Sequence, residues 1–253
     1  MKAVLLGGTS GMGRALARGL VERGDQVFLL GRRPDELARS AADLEARHRQ
    51  KLPCGHAPCD LEDPDGFEAA LEAAETALGG LDAVIVTAAL FATQDALEAD
   101  LALTRRLLTV NFANTVLFCE HARKRLLARG GGHLVVFSSV AGDRGRKPVV
   151  LYGASKAGLS AYLEGLDHRF HGQGLRVLCV KPGFVRTGMT EGLKPPPFAG
   201  EPDQVARDVL RALDRGSPLV YTPAIWSLIL RVIRALPRFV MRRIQFLGSA
   251  LST

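Results

Sequence analysis

Short apolar runs alternate with longer amphipathic stretches along most of the chain. The apolar runs lie near residues 2–6, 26–30, 54–58, 82–86, 133–138, 175–180 and 218–221. The stretches between them have the apolar spacing of helices near 11–23, 35–50, 65–78, 98–129, 151–171 and 202–215, and we expect 98–129 to be broken. Strands that alternate with helices form a parallel sheet covered on both faces. The pattern therefore predicts an α/β fold with a doubly wound parallel sheet.

The chain has 253 residues, which is enough for one large core. No internal repeat, low-complexity segment or interdomain linker interrupts the pattern. We expect one domain, with a catalytic part over residues 1–222 and an amphipathic basic tail over 223–253. In a doubly wound sheet, ligands bind in the crevice at the carboxyl ends of the strands.

A glycine-rich turn joins the first predicted strand to the first predicted helix. It reads Gly7-Gly8-Thr9-Ser10-Gly11-Met12-Gly13. Strand, glycine turn and helix are the context of a Rossmann-type dinucleotide site, where the helix N-terminus faces the pyrophosphate. Gly7 would permit the tight turn, Gly11 the approach of the phosphates, and Gly13 the packing of helix on strand. Such turns also occur for structural reasons alone. The candidate cofactor residues in this turn are Gly7, Thr9, Ser10, Gly11, Met12 and Gly13.

Tyr152 and Lys156 stand four residues apart, and Ser139 precedes the tyrosine by thirteen residues. Residues four apart share one face of a helix. A phenol titrates near pH ~10, and a neighbouring ammonium favours the phenolate. With a serine hydroxyl to hold a carbonyl oxygen, the set can protonate that oxygen while hydride reaches the carbon. The Tyr-x-x-x-Lys spacing also occurs by chance on surface helices.

With the glycine turn, Asn111, Ser139, Tyr152 and Lys156 in this order, the chain resembles the short-chain dehydrogenase/reductase family over residues 1 to about 222. The resemblance implies that Tyr152 donates the proton and that Ser139, rather than the adjacent Ser138, orients the carbonyl. It implies that Lys156 lowers the pKa of Tyr152 and binds the nicotinamide ribose. Asn111 would hold a water that links Lys156 to solvent.

The same resemblance implies further contacts with the cofactor. Asp60 and Leu61 follow the third strand, where the family contacts adenine, and Ala88 follows the fourth. The segment Lys181–Thr187 would clamp the nicotinamide, with contacts from Pro182, Gly183, Val185 and Thr187. Tyr152 and Lys156 are expected to touch the cofactor as well.

Two positions depart from the family pattern. Leu6 occupies the place of a usual threonine, and Thr87-Ala88-Ala89-Leu90 replaces a usual Asn-Asn-Ala-Gly. We expect both changes to remove hydrogen-bonding side chains that steady the loop beside the cofactor.

The end of the second strand bears on the choice of cofactor. Gly31 stands where an NAD enzyme places an acidic residue, and Arg32 and Arg33 follow. Guanidinium groups match a phosphate in geometry and charge. We therefore predict NADP(H), with Arg32 as the main contact and Arg33 in support. In the alternative interpretation, both arginines belong to a solvated turn before a helix that starts at Pro34.

The four cysteines, at positions 54, 59, 119 and 179, have no metal-ligand spacing, and we expect buried free thiols and no metal. The first strand begins at residue 2, so no signal peptide is expected and the predicted location is cytoplasmic.

The tail carries no Asp or Glu from Ser217 onward, and its arginines contribute much of the net charge of +7. The arginines are Arg231, Arg234, Arg238, Arg242 and Arg243. The apolar residues are Trp226, Leu228, Ile229, Leu230, Val232, Ile233, Leu236, Phe239, Val240, Ile244, Phe246 and Leu247. The spacing of the arginines excludes a transmembrane helix, and Pro237 should divide the tail into two short helices.

Two interpretations of this tail remain open. In the first, residues 223–247 form helices that lie in a membrane interface, on the inner face of the membrane. In the second, the same helices pack on the core or on a partner subunit. Nucleic acid is not an expected partner, because the tail is too apolar and no base-reading motif accompanies it.

Several segments narrow the resemblance to the reductase half of the decaprenylphosphoryl-ribose 2′-epimerase system. They are 138–144, 151–159, 176–183, 185–189, 192–194 and the ending from 221 through 239. This resemblance implies a 2-keto sugar on a polyprenyl phosphate as substrate, with 188–200 as a substrate lid.

The alternatives are a soluble carbonyl, 3-keto-acyl or keto-sphingoid reductase whose tail is an oligomer interface, and a non-catalytic NADP-binding regulator. The family resemblance also implies a homo-oligomer, a dimer or tetramer, paired through the helices that hold Asn111 and Tyr152.

Overall fold

The computed structural model describes residues 1–244. Within them, one parallel sheet has the strand order β3-β2-β1-β4-β5-β6-β7. The strands are β1 (Lys2–Leu6), β2 (Gln26–Gly31), β3 (His56–Pro58), β4 (Ala83–Val86), β5 (Gly132–Phe137), β6 (Leu175–Pro182) and β7 (Leu219–Thr222). The predicted doubly wound sheet is confirmed.

Helices follow the strands in alternation. They are α1 (Gly11–Glu22), α2 (Pro34–Arg47), α3 (Phe67–Leu78), α4 (Gln94–Ala99), α5 (Leu101–Leu108), α6 (Thr115–Ala128), α7 (Val150–Phe170), α8 (Pro202–Asp214), α9 (Ile225–Ala235) and α10 (Arg238–Arg243). The predicted break within 98–129 is confirmed at Asp100, whose extended backbone separates α4 from α5. A π-helical segment, Thr109–Asn114, joins α5 to α6.

The sheet separates two apolar layers because side chains on a strand alternate between its faces. Val4 and Leu6 pack with α3, α6 and α7, whereas Ala3 and Leu5 pack with α1, α2 and α8. The cysteines at 54, 59, 119 and 179 are buried free thiols, as predicted. Helices therefore cover both faces of the sheet. The carboxyl ends of the strands are not part of these two layers.

The strand order reverses between β1 and β4, and this places a crevice at their carboxyl ends. The glycine turn leaves β1 at this edge, and Ser139 leaves β5 at the same edge. The register pairs Phe137, the last residue of β5, with Val180, and β6 continues two residues further to Pro182. The residues predicted to form the site therefore emerge together.

The tail forms α9 and α10, which are separated at Leu236-Pro237 as predicted. Leu230 and Met241 are buried against the protein, whereas Leu228, Val232 and Phe239 are each more than half exposed. The tail therefore packs on the core along one side and exposes apolar residues along the other. Within residues 1–244, no helix is long and apolar enough to cross a membrane. Residues 245–247 of the predicted membrane segment, including Phe246 and Leu247, lie outside the described residues.

Candidate active site

Tyr152 and Lys156 lie in the first two turns of α7. The Lys156 ammonium nitrogen lies 5.9 Å from the centroid of the Tyr152 ring. It donates a hydrogen bond of 2.9 Å to the carbonyl of Phe137, the last residue of β5. Because Lys156 is buried, this bond fixes the ammonium between the sheet and the phenol.

Ser139, not Ser138, contacts the phenol. The Ser139 side chain hydrogen-bonds that of Tyr152, and its oxygen also accepts a bond of 3.1 Å from the Ala141 amide. The Ser138 hydroxyl is buried and donates to the Lys156 carbonyl at 2.9 Å. Ser139 is therefore the serine that faces the phenol, and Ser138 supports the helix behind it.

Two glycines allow the Ser139 turn to lie directly on α7. A Cβ at Gly142 would stand 2.6 Å from the carbonyl carbon of Lys156. A Cβ at Gly153 would stand 2.8 Å from the carbonyl oxygen of Ala141. Neither position can accept a side chain without moving backbone, so these contacts set the distance between Ser139 and Tyr152.

Burial dominates the protonation of both groups on α7. It raises the pKa of Tyr152 to about 12, and the hydrogen bond with Ser139 only partly opposes this. It lowers the pKa of Lys156 to about 8. The lowering of the Tyr152 pKa by Lys156 that the resemblance implies is therefore not seen here, because desolvation of the phenolate raises that pKa. Both side chains are held in their protonated forms at neutral pH, as a proton donor requires.

Asn111 lies in the π-helical segment between α5 and α6 and is completely buried. Its side-chain oxygen accepts from the Leu90 amide, and its side-chain nitrogen donates to the Leu90 carbonyl, both at 2.7 Å. Such segments occur frequently at functional sites. The amide therefore fixes the chain after β4.

The glycine turn has the backbone that its sequence predicts. Gly7 and Gly11 adopt positive φ angles of 96° and 48°. A Cβ at Gly7 would stand 2.7 Å from the Ala88 amide nitrogen, and Gly13 packs against the Gly7 carbonyl. Ser10 precedes α1 and makes no side-chain capping bond, and Thr9 presents its carbonyl to Arg14 at 2.9 Å. These features fit a dinucleotide, whose phosphates require close approach to backbone at a helix N-terminus.

Thr87 corrects one sequence-based expectation. Its hydroxyl donates to the carbonyls of Leu6 and Gly7, at 3.1 and 3.0 Å. The expectation that residues 87–90 lack a side chain that steadies the turn is therefore wrong. A threonine directly after β4 provides the tether that Leu6, an apolar residue, cannot make from β1.

The predicted nicotinamide segment, Lys181–Thr187, begins at the end of β6 and reaches the glycine turn at Thr187. The Gly183 amide donates to the Thr222 carbonyl at 3.0 Å, and Val185 is buried. Thr187 lies beside the turn, because a Cβ at Gly11 would stand 3.2 Å from its methyl carbon. Pro182, Gly183, Val185 and Thr187 thus lie between the Ser139 edge and the start of α1.

Arg32 and Arg33 differ in their ion pairs. Arg33 pairs with Glu36 at 2.6 Å, within its own helical turn. Arg32 is more than half exposed and lies 3.4 Å from Glu62, whose carboxylate is held more tightly by Arg106 at 2.6 Å. Arg32 is therefore the guanidinium more readily redirected toward a phosphate.

Asp60 and Leu61 lie next to this ion pair, at the end of β3. The Asp60 carboxylate accepts from the Glu62 amide at 3.0 Å, and the Leu61 carbonyl accepts from Asn114 at 2.6 Å. No local sequence signal indicates the contact between Glu62 and Arg106, because 44 residues separate them.

A buried carboxylate that sequence reasoning missed anchors the end of the Ser139 turn. The two oxygens of Asp143 bind Lys181 on β6 and the Tyr221 hydroxyl on β7, each at 2.6 Å. The Asp143 side chain is only 2% exposed. Asp143 thus ties the turn to two strands.

This arrangement of turn, helix and sheet edge is shared with a known family. The model of the family described as short chain dehydrogenase matches residues 1–197. The chain belongs to this short-chain dehydrogenase family. An uncharacterised oxidoreductase of Mycobacterium tuberculosis is 36% identical over 242 residues, which cover 95% of each chain. A second, from Streptomyces coelicolor, is 35% identical over 251 residues and covers 95% of this chain and 94% of its own. This short-chain dehydrogenase is therefore an oxidoreductase.

Solved structures share the fold of this short-chain dehydrogenase. A short-chain type dehydrogenase/reductase from Mycobacterium ulcerans superposes with a TM-score of 0.80 at 24% identity, over 96% of this chain and 98% of its own. A single-residue variant of the actinorhodin polyketide ketoreductase, with NADPH, gives a TM-score of 0.78 at 22% identity, over 87% of this chain and 94% of its own. At these identities the similarity is one of fold.

Proposed function

We propose that this short-chain dehydrogenase is an NADPH-dependent ketoreductase that reduces a ketone to a secondary alcohol. The observation that carries the proposal is the meeting of Ser139, Tyr152 and Lys156 at the carboxyl edge of the sheet. Tyr152 is hydrogen-bonded to Ser139, and the Lys156 ammonium lies 5.9 Å from its ring. The presence of a ketoreductase with NADPH among the proteins of the same fold is consistent with this chemistry.

The mechanism assigns each group one task. When bound, the reduced nicotinamide supplies a hydride to the carbonyl carbon. Ser139 holds the carbonyl oxygen, and the Tyr152 hydroxyl donates its proton to that oxygen. The Lys156 ammonium stabilises the phenolate that results. A proton then returns to the Tyr152 phenolate by way of Lys156, which receives it from a water bound to the main chain of Asn111.

The proposed cofactor is NADP(H), and Arg32 is the proposed contact of the 2′-phosphate. Two observations support this contact. Position 31 is a glycine and not an acidic residue, and the ion pair between Arg32 and Glu62 is exposed and 3.4 Å long. Charge-assisted bonds to a phosphate contribute about 1.5–3 kcal/mol. Arg32→Ala should therefore lower kcat/KM with NADPH by about 10- to 100-fold, at about 1.4 kcal/mol per tenfold.

The test of this assignment is the same ketone assayed with NADPH and with NADH. Arg32→Ala is expected to leave kcat/KM with NADH unchanged, because that cofactor carries no 2′-phosphate. An equal loss with both cofactors would contradict the role of Arg32, and a wild-type preference for NADH would contradict the choice of NADP(H).

The proposed substrate is a hydrophobic ketone, with a lipid-linked keto sugar as its most specific form. The tail supports this because α9 begins three residues after β7, at the edge of the sheet where the site lies. The exposed Leu228, Val232 and Phe239 stand among exposed arginines, a combination suited to an anionic lipid interface. Peripheral contact of residues 223–247 with the inner face of the membrane would bring the site to a substrate that remains in lipid.

A soluble carbonyl reductase is the second candidate function. A Xenopus laevis protein named carbonyl reductase family member 4 is 30% identical over 223 residues, which cover 83% of this chain and 89% of its own. In that case the outer side of the tail would be an oligomer interface. A homo-oligomer is expected in either case, since Phe112 and Leu117 near Asn111 are exposed. Turnover of any ketone would exclude a non-catalytic regulator.

A further inference from the structure

Trp226, in the first turn of α9, packs on the backbone that follows β6. The edge of its indole occupies the space that a Cβ at Gly183 would fill. Gly183 has no positive φ angle, so the indole, and not the backbone conformation, excludes a side chain at this position. The Gly183 amide also donates to the carbonyl of Thr222, the last residue of β7, at 3.0 Å. The start of the tail therefore limits how far position 183 can move toward α9.

Pro223, in the turn that leads into α9, supports the nicotinamide segment at a second position. The amide of Gly200 donates to the Phe184 carbonyl at 2.8 Å, and its carbonyl accepts from the Arg186 amide at 3.0 Å. A Cβ at Gly200 would stand 3.0 Å from the Cδ atom of Pro223. The Trp226 amide donates to the Pro223 carbonyl at 3.1 Å, so both supports belong to one turn of the chain.

The far end of the nicotinamide segment contacts the glycine turn. Val185 is buried, and a Cβ at Gly11 would stand 3.2 Å from the methyl carbon of Thr187. The segment is thus in contact with the tail near its start and with the cofactor turn at its end. Close-packed protein interiors have low compressibility and transmit displacements. A change of volume at Trp226 should therefore move the segment where it faces the cofactor.

We infer that Trp226 is a positioning residue for the nicotinamide half of the cofactor and that it acts through Gly183. The inference rests on the proposed function, in which the phosphates of a dinucleotide bind at the glycine turn and its reacting ring lies beside Tyr152. A cofactor in this position runs along Lys181–Thr187, which lies between these two places. The shape of the indole carries the role, because its nitrogen is buried and has no hydrogen-bond partner among residues 1–244. The tail therefore belongs to the framework of the active site.

The test measures, by isothermal titration calorimetry, the binding of NADP⁺ and of adenosine 2′,5′-bisphosphate, which lacks the nicotinamide half. Trp226→Ala removes the support and should weaken NADP⁺ binding by about tenfold, equivalent to about 1.4 kcal/mol, while binding of the bisphosphate is unchanged. Trp226→Phe keeps an aromatic ring at the contact and should bind both ligands as the wild type does. Ser227→Ala, a neighbouring change on the same helix, is the control and should also leave both affinities unchanged.

A second variant changes the other partner of the contact. Gly183→Ala places a methyl group in the space of the indole and should also weaken NADP⁺ binding by about tenfold, with the bisphosphate again unaffected. It carries the test on its own where Trp226→Ala does not fold. Because Trp226→Ala empties the space that the methyl group needs, the double variant should bind NADP⁺ more tightly than Gly183→Ala alone, as non-additive neighbours do.

Three results would overturn the role of Trp226. They are unchanged NADP⁺ affinity in folded Trp226→Ala, equal losses of affinity for both ligands, and additive effects in the double variant. Failure of the wild type to bind the bisphosphate would instead contradict the choice of NADP(H), and NAD⁺ with ADP would then serve as the two ligands of the test. A wild type that binds NADP⁺ but reduces no ketone would contradict the proposed reaction and leave the binding comparison to decide on Trp226.

Discussion

At the scale of single residues, Lys156 is the group that we expect to determine how the site responds to pH. Burial lowers its pKa to about 8, whereas the pKa of Tyr152 is raised to about 12. Between these two values the phenol keeps its proton while the lysine has lost its charge. Under the proposed mechanism, the ammonium and not the phenol should therefore limit activity on the alkaline side.

The expected pH profile has one alkaline limb. For ketone reduction, kcat/KM should fall as the pH rises through about 8, because the neutral amine no longer stabilises the phenolate. Lys156→Arg, whose guanidinium remains charged, should lack this limb even if its rate is lower. A wild-type profile that stays level to about pH 10.4, the pKa of a free lysine, would contradict this role.

At the scale of elements, Asp143 connects the Ser139 turn to β6 and β7. Both of its oxygens are bonded, and the side chain is 2% exposed. Removing one charge of a buried pair costs about 3–5 kcal/mol. Asp143→Asn retains the shape, so we expect a loss of about 2–4 kcal/mol in the free energy of unfolding, with a lower kcat as Ser139 shifts.

Asp43→Asn is the matched control for this change. Asp43 pairs with Arg18 and Arg47 on the surface, at 2.9 Å each, and exposed pairs contribute only about 0–1 kcal/mol. Urea unfolding of both variants measures the difference. Equal stability of the two variants, with wild-type kcat in each, would show that Asp143 does not anchor the turn.

The elements themselves could largely be predicted from sequence, because their signals are local. Apolar runs marked the strands, the glycine turn marked the start of α1, and the spacing of Tyr152 and Lys156 placed both on one helical face. The contacts of Asp143 with Tyr221 and of Asn111 with Leu90 could not be predicted. They join residues 78 and 21 positions apart, and only the sheet order brings them together.

At the scale of the whole molecule, the tail is bonded on one side to the segment that follows Ser139 and is exposed on the other. Arg144 donates to the Leu236 carbonyl and Lys147 to the Arg242 carbonyl, both at 2.8 Å. The segment that begins at Ser139 therefore holds the tail on its inner side. The outer side combines exposed apolar residues with arginines and no acidic residue.

Flotation with liposomes tests what this outer side binds. The wild type should float with vesicles that contain phosphatidylglycerol, and less at high salt, because the attraction includes screened charges. Replacing Leu228, Val232 and Phe239 by serine should abolish flotation. Leu101→Ser, at an apolar position that is 76% exposed elsewhere on the molecule, should not. Wild-type protein that stays with the soluble fraction, as a stable oligomer, would favour the soluble reductase.

The most direct test of the central claim is NADPH oxidation by Tyr152→Phe in the presence of a ketone that the wild type reduces. Tyr162→Phe is the matched control, since Tyr162 lies on the same helix and its hydroxyl donates to the Glu120 carboxylate at 2.7 Å. General acid catalysis contributes about 10²–10⁴-fold, so Tyr152→Phe should lose at least about a hundredfold in kcat while its Kd for NADPH is unchanged. Tyr162→Phe should retain its rate. Full activity of Tyr152→Phe at unchanged NADPH binding would contradict the account.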